Sequence, residues 1–448
     1  MTIITTREFK EFREFREFRE FKEFKEFREF KETFPMRTIY TIGIWFYTLG
    51  VRVAALCGHE KARLMVSGWR TRISIHNSQP SARVAWFHAA SLGEFEQARP
   101  VLERYKELHP DCRIVVTFFS PSGYEVRKNY AQADAVLYLP PDLPCSVRRF
   151  LDAVKPTVAF FVKYEFWFNY LGELRRRSIP TYIFSAIFRP GQYFFKPWGR
   201  WYLLQLKECF RHLFVQNEES LQLLKAHGIE HCSLAGDTRY DRVHQIATAA
   251  EGDATAETFL QGYEGKVMVA GSTWPPDEQL LARLRDGKEW FPERLVIAPH
   301  QIHEEHLRSI EALFPDSVRY SQLRVMSYEL RVKRSVLIID NIGILSKLYR
   351  YADVAYIGGG FGVGIHNILE AVAYGKPVVF GPNWRKFQEA HDIIELGGGM
   401  TVDEQPDVSL LRKWFTDEEV YRAASDACLK LMRRNLGSTD IILNTLEA

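Results

Sequence analysis

Val354-Ala355-Tyr356-Ile357-Gly358-Gly359-Gly360-Phe361-Gly362-Val363-Gly364-Ile365-His366-Asn367-Ile368-Leu369-Glu370 is the stretch on which the fold turns. Four apolar residues suit a short buried strand, the glycines a loop, and the residues from Asn367 onward the opening of a helix. A glycine loop entering a helix exposes backbone N–H groups, a ready site for phosphate or another anion. The P-loop ending Gly-Lys-Ser/Thr is missing and GxGxxG spacing fails, which excludes the two commonest nucleotide signatures. Glu370, one turn into that helix, is placed to accept hydrogen bonds from a sugar hydroxyl.

The same alternation extends in both directions. Before and after this stretch, Val267 to Ala270, Leu295 to Ala298, Val336 to Ile339 and Val378 to Phe380 read as strands, with helical sequence between them. Nearer the N-terminus, Val84 to Phe87, Ile114 to Thr117, Val136 to Leu139, Val158 to Val162, Tyr182 to Ser185 and Leu213 to Val215 repeat the pattern. Near-continuous apolar strands separated by helices indicate parallel sheets covered on both faces. Between the two runs, Val243 to Thr258 is rich in Ala, Asp, Glu and Thr with little to bury. The expected organisation is α/β: a doubly wound domain over 73–242, a linker over 243–265 and a second doubly wound domain over 266–448, with a cleft between the domains. Ligands of such sheets bind outside the carboxyl ends of the strands.

Those strand ends carry chemistry. The first runs His88-Ala89-Ala90-Ser91-Leu92-Gly93-Glu94, where Gly93 permits a tight turn. Glu94 then lies at a helix N-terminus, whose free N–H groups favour a carboxylate, as a general base needs. Ser91 and Glu94, three apart, equally fit a capping box with no catalytic role. Lys163 and Glu165 emerge where the fourth strand stops, and face either a polar cleft or each other. Arg239, in the turn Gly236 to Asp241, suits bidentate anion binding or a bridge to Asp237 or Asp241. Ser272 and the pair Pro299-His300 end two further strands.

Composition narrows the function. The chain has 448 residues, 59 basic and 56 acidic, with a net charge of +3 that argues against a nucleic-acid binder. Arg7 to Glu32 is a run of Arg/Lys-Glu-Phe triplets whose nine basic residues cancel its nine glutamates, so the balance belongs to the rest of the chain. A three-residue period drifts around a 3.6-residue helix and forms no stable apolar stripe, leaving 1–35 as a low-complexity extension. Met36, just after it, is a possible start of the functional protein. The six cysteines form no CxxC pair and no metal-ligand spacing. Segment 36–72 is different: aromatic and aliphatic residues from Tyr40 to Leu56 precede Lys61, Arg63, Arg70 and Arg72. Its uninterrupted part, Thr38 to Val51, is shorter than the ~20 residues a spanning helix needs. It suits a helix lying at an anionic membrane surface, or one packed on its own domain.

In chain order, HAASLGEF from His88, KYEFWFN from Lys163, QNEES from Gln216, GDTRYD from Gly236 and GGGFGVGIHNILEAVAYGKPVVFGP from Gly358 resemble the motifs of the 3-deoxy-D-manno-octulosonic acid (Kdo) transferases of Gram-negative bacteria. The resemblance covers the chain from the apolar segment onward and omits only the triplet repeat. It implies a GT-B glycosyltransferase, two Rossmann-like domains facing a cleft, with an N-terminal membrane-associated helix at the cytoplasmic side of the inner membrane. It further implies CMP-Kdo as donor, a lipid A precursor as acceptor, and no cofactor or metal. By this carry-over Glu94 is the general base, with Lys163 and Arg239 as further catalytic positions. Ser91, Gly93 and Glu165 fall on the acceptor side. CMP contacts fall on Pro299, His300, the turn Ile342-Gly343-Ile344, and Asn367, Ile368, Leu369 and Glu370; Ser272 joins them by its strand-end position. The sequence departs from the family at Lys163, where a glutamate is usual, at Arg239, where a lysine is usual, at His300, where an arginine is usual, and at Phe168, where many members have proline. A GT-B enzyme using another nucleotide sugar, or a catalytically silent membrane-bound binding module, are the alternatives.

Overall fold

A computed structural model describes residues 36–70, 83–196, 199–249, 251–286, 288–323, 326 and 333–447. The triplet repeat and Arg72 lie outside the described residues. The described residues form two compact units, one reaching from residue 36 to 238 together with 439–447, the other within 239–438.

The first unit is built on a seven-stranded sheet among the described residues, in the order β3-β2-β1-β4-β5-β6-β7. The strands are β1 Val84–Ala89, β2 Arg113–Phe118, β3 Ala135–Tyr138, β4 Val158–Val162, β5 Thr181–Ala186, β6 His212–Val215 and β7 Cys232–Leu234. All its pairings are parallel, and each strand-to-strand crossover passes through a helical segment. Side chains alternate between faces: Trp86, Ala159, Phe161 and Ile183 enter one core, while Ala85, Phe87, Phe160 and Phe184 enter the other. This two-sided burial explains the absence of polar alternation in the central strands.

The second sheet repeats the plan, in the order β10-β11-β9-β8-β12-β13-β14, again with all pairings parallel. Its strands are β8 Val267–Thr273, β9 Arg294–Pro299, β10 Ser317–Arg319, β11 Val336–Ile338, β12 Val354–Ile357, β13 Val378–Phe380 and β14 Gly399–Thr401. Met268, Leu295 and Ile297 face one core; Val269, Val296 and Leu337 face the other. In both sheets the strand order reverses beside a central strand, β1 in the first and β8 in the second, which is where doubly wound sheets leave a ligand crevice.

Two expectations need correcting. Residues 243–265 are not a bare linker: they lie largely in the helices Thr238–Thr248 and Ala254–Leu260, and Val243, Ala256 and Phe259 are buried in the second unit. The last helix, Ser438–Glu447, does not close the second unit; Ile442 and Leu443 pack into the first unit's core beside Phe87 and Phe95. Composition and chain order mark neither contact, because both depend on packing between segments distant in sequence.

The apolar segment is a single helix, Met36–Leu56, which runs through Arg52 and is longer than its uninterrupted apolar stretch suggested. One face docks on the first unit. The Tyr40 hydroxyl donates to Asp142 Oδ2 at 2.7 Å, Arg37 Nε to Asn169 Oδ1 at 3.2 Å, and Thr48 and Ala55 are buried. The opposite face, with Ile39, Ile42, Phe46, Leu49, Val53 and Leu56 at spacings of three and four, is exposed.

Candidate active site

In the first unit, β1 delivers Ser91 to the N-cap of the helix Leu92–Leu108 and Glu94 to its third position. The Ser91 backbone N–H and hydroxyl both donate to Glu94 Oε2, at 2.9 and 3.0 Å. The capping-box alternative is therefore realised. It also fixes the side chain: Oε2 is held twice, while Oε1 makes no hydrogen bond among the described residues and the residue is half-buried. Gly93 is exposed beside it, with open space where a Cβ would stand.

Lys163 ends β4 with φ +63°, a left-handed conformation unusual outside glycine, and its N–H donates to Phe184 O at 3.0 Å. The turn this creates brings Glu165 back to His88 at the end of β1, Oε2 to Nε2 3.0 Å. Glu165 thus meets His88 across neighbouring strands. The Gly236 turn is fastened to the Glu94 helix from below: Gln97, fully buried, donates to Asp237 Oδ1 at 3.0 Å, and Thr238 Oγ1 donates to Gln97 O at 2.6 Å.

In the second unit Arg239 Nη1 donates to Glu389 Oε1 at 2.9 Å, with the carboxylate only 9% exposed. Asp237 and Asp241 were the sequence candidates for its partner. Glu389, 150 positions away, was not legible because nothing local marks it.

The donor candidates gather around the end of β8. Ser272 has φ +54°, and Gly358 packs so close that a Cβ there would run into the Ser272 carbonyl oxygen. The helix after the glycine loop is shorter than expected, one turn at Leu369–Val372, so its dipole contributes little to anion binding. Asn367 instead accepts from Leu369 N at 3.2 Å and donates to Glu370 Oε1 at 3.2 Å. Ile342, 85% exposed, and Gly343, with φ +96°, form a turn after β11, and Ile344 leads into the helix Leu345–Leu348.

Three residues that sequence reasoning passed over organise this site. Trp274 stacks on His300 (centroids 4.7 Å) and His300 on His366 (4.6 Å), while Trp274 Nε1 donates to His366 Nε2 at 3.3 Å. Burial first, and the His300 ring second, bring the His366 pKa down to about 4, so it is a neutral acceptor at pH 7. Asp277, fully buried, accepts from Trp274 N (2.9 Å), Gly359 N (3.0 Å) and the Tyr356 hydroxyl (2.8 Å). It ties the glycine loop to the helix Pro275–Arg285; burial raises its pKa, and these three donors oppose the rise. Above the clamp is a cavity of about 240 Å³ lined by Trp274, Pro275, Pro276, Phe361 and Val363. The Trp-Pro-Pro-Asp start of that helix was the available signal: proline in the first turn and an acid at the third position.

The family model described as 3-deoxy-D-manno-octulosonic-acid transferase (kdotransferase) matches residues 67–242, the segment holding Ser91, Glu94, Lys163, Glu165 and Arg239. Curated relatives extend the match across the second unit. The 3-deoxy-D-manno-octulosonic acid transferase of Aquifex aeolicus is 26% identical, covering 72% of this chain and 83% of the relative; those of Chlamydia muridarum (24%; 80% and 84%) and Haemophilus influenzae (25%; 83% and 88%) agree. The chain is similar to Kdo transferases over most of its length. Solved structures show the architecture alone. UDP-GlcNAc 2-epimerase from Neisseria meningitidis has a TM-score of 0.58 at 16% identity, covering 81% of this chain and 99% of that one; Acinetobacter baumannii MurG has 0.50 at 13%, covering 82% and 99%. The fold is GT-B, two α/β units with parallel sheets.

Proposed function

We propose that this protein transfers Kdo from CMP-Kdo to the lipid A disaccharide precursor, lipid IVA, in one inverting displacement that needs no metal. The observation that carries the reading is the Glu94 carboxylate, fastened through one oxygen at the end of β1 in a chain similar to Kdo transferases over most of its length. Glu94 Oε1 takes the proton from the acceptor's primary hydroxyl as that oxygen bonds to the anomeric carbon of Kdo. The bond from that carbon to the CMP phosphate oxygen breaks on the opposite face, and CMP leaves with the electron pair. Lys163 and Arg239 supply positive charge for the Kdo carboxylate or the departing phosphate. Ser91, Gly93 and Glu165 serve the acceptor. Ser272, Pro299, His300, the Ile342-Gly343-Ile344 turn and Asn367 to Glu370 hold the donor. CMP release that depends on lipid precursor tests the reading; UDP displacing CMP from the protein equally well would redirect it to another nucleotide sugar.

The exposed face of the Met36–Leu56 helix supports attachment to the cytoplasmic leaflet of the inner membrane. Because the other face is docked through Tyr40, Thr48 and Ala55, the helix fits an in-plane position better than a spanning one, with exposed Lys61 and Arg63 available to anionic lipid. Replacing Ile42, Phe46 and Leu49 together by aspartate should cut binding to phosphatidylglycerol-containing vesicles about a hundredfold or more, since each buried apolar side chain contributes about 1.5–3 kcal/mol. Flotation assays read this directly, and equal flotation of the triple variant would refute the anchor.

A further inference from the structure

His88 is fully buried at the end of β1, and the proposed proton transfer makes no use of it. Its neighbours favour one placement of its protons, with Nε2 as donor. Trp86 Nε1 donates to Thr117 Oγ1 at 2.8 Å, so that hydroxyl's own proton is available to His88 Nδ1 at 2.9 Å. If the ring carries two protons, Thr117 O, 3.1 Å from Nδ1, accepts one of them. In both cases Nε2, 3.0 Å from Glu165 Oε2, bears a proton, because a bare ring nitrogen there would set two lone pairs against each other in a buried site. Trp167 Nε1 donates to the same carboxylate oxygen at 2.7 Å and also reaches His88 Nε2 at hydrogen-bond distance, 3.0 Å, so its one N–H is shared between them.

Glu165 is therefore held by two donors on one oxygen. Its other oxygen, Oε1, makes no hydrogen bond among the described residues, and the side chain is 11% exposed. Beyond it the surface is aromatic. The Phe119 ring lies 5.0 Å from Trp167, and Tyr47, on the helix with the exposed apolar face, lies 6.2 Å from Phe119. A hydrogen-bond acceptor beside an aromatic wall that leads to an apolar helix suits a molecule with a hydroxylated head and an apolar chain.

We propose that His88 is a positioning residue for the acceptor: with Trp167 it holds Glu165 so that the free oxygen receives a sugar hydroxyl, while Trp167, Phe119 and Tyr47 guide the apolar part. This rests on the reading of the chain as a lipid-sugar transferase and adds the residues that seat the lipid. His88 does not touch substrate; it acts through Glu165.

The test is steady-state kinetics of the full chain with CMP-Kdo and the tetraacyl lipid A precursor. His88→Phe keeps the ring volume but removes the Nε2–H donor, and should raise the acceptor KM about tenfold, the worth of one hydrogen bond to a charged group. The CMP-Kdo KM and kcat should stay unchanged. His88→Gln, whose amide can replace that donor, should recover most of the loss. Trp167→Phe, at a half-buried position, should raise the same KM by a smaller factor. In a Glu165→Gln background, His88→Phe should add nothing. Loss of kcat, donor KM and melting temperature together, or independent effects of His88→Phe and Glu165→Gln, would overturn the positioning role. A wild-type chain with no turnover on this acceptor would overturn the transferase reading, and the lipid seat with it.

Discussion

Glu94→Gln should reduce kcat for Kdo transfer by about 10²- to 10⁴-fold, the usual contribution of a positioned general base. Glutamine has the same shape and its amide oxygen can still accept from Ser91, so the helix start survives while the proton acceptor is lost. The affinity for CMP-Kdo, measured by calorimetry, should not change, since Glu94 lies in the first unit and the residues proposed to hold CMP lie in the second. Transfer by Glu94→Gln at the wild-type rate would leave Glu94 with its capping role alone.

Asp277→Ala should destabilise the second unit by about 3 kcal/mol or more, and weaken CMP binding at least tenfold. The substitution strands the Trp274 N–H, the Gly359 N–H and the Tyr356 hydroxyl around a buried void, and each unmet donor costs about 1–3 kcal/mol. Against a typical total of about 5–15 kcal/mol for a domain, this is a large fraction. Asp277→Asn should also weaken the unit, because its amide nitrogen adds a fourth donor where only acceptors are wanted. Urea denaturation measures the first effect and calorimetry with CMP the second. Wild-type values in both would show that the glycine loop holds its shape without the buried carboxylate.

The central strands were legible because burial on both faces demands unbroken apolar runs: β4, β12 and β13 fall where those runs do. The three strands that escaped notice, β7, β10 and β14, are three-residue edges with Ser, Arg, Gly or Thr among them. An edge strand needs neither length nor two apolar faces. At the site, strand ends drew attention to Glu94, Lys163, Glu165, Ser272 and His300, since a charge or turn residue closing an apolar run is visible locally. The residues that hold them in place were not. Asp277 meets Gly359 across 82 positions, Arg239 meets Glu389 across 150, and Trp274 meets His366 across 92. Such partners are set by strand order, and strand order is decided by packing that no local window contains.

Lys163 stands where Kdo transferases usually carry a glutamate. A cation where a glutamate is usual, held at φ +63°, shifts the field at the end of β4 toward stabilising an anion. In the proposed reaction, negative charge gathers on the phosphate as CMP departs, so the substitution agrees with the chemistry.

The most direct measurement is the mass of the lipid recovered after the full chain is incubated with CMP-Kdo and lipid IVA. A lipid heavier by one or more Kdo residues, formed with matching release of CMP and absent from the Glu94→Gln reaction, is the predicted result. Unmodified lipid IVA beside intact CMP-Kdo, from protein that binds CMP, would contradict the transferase assignment.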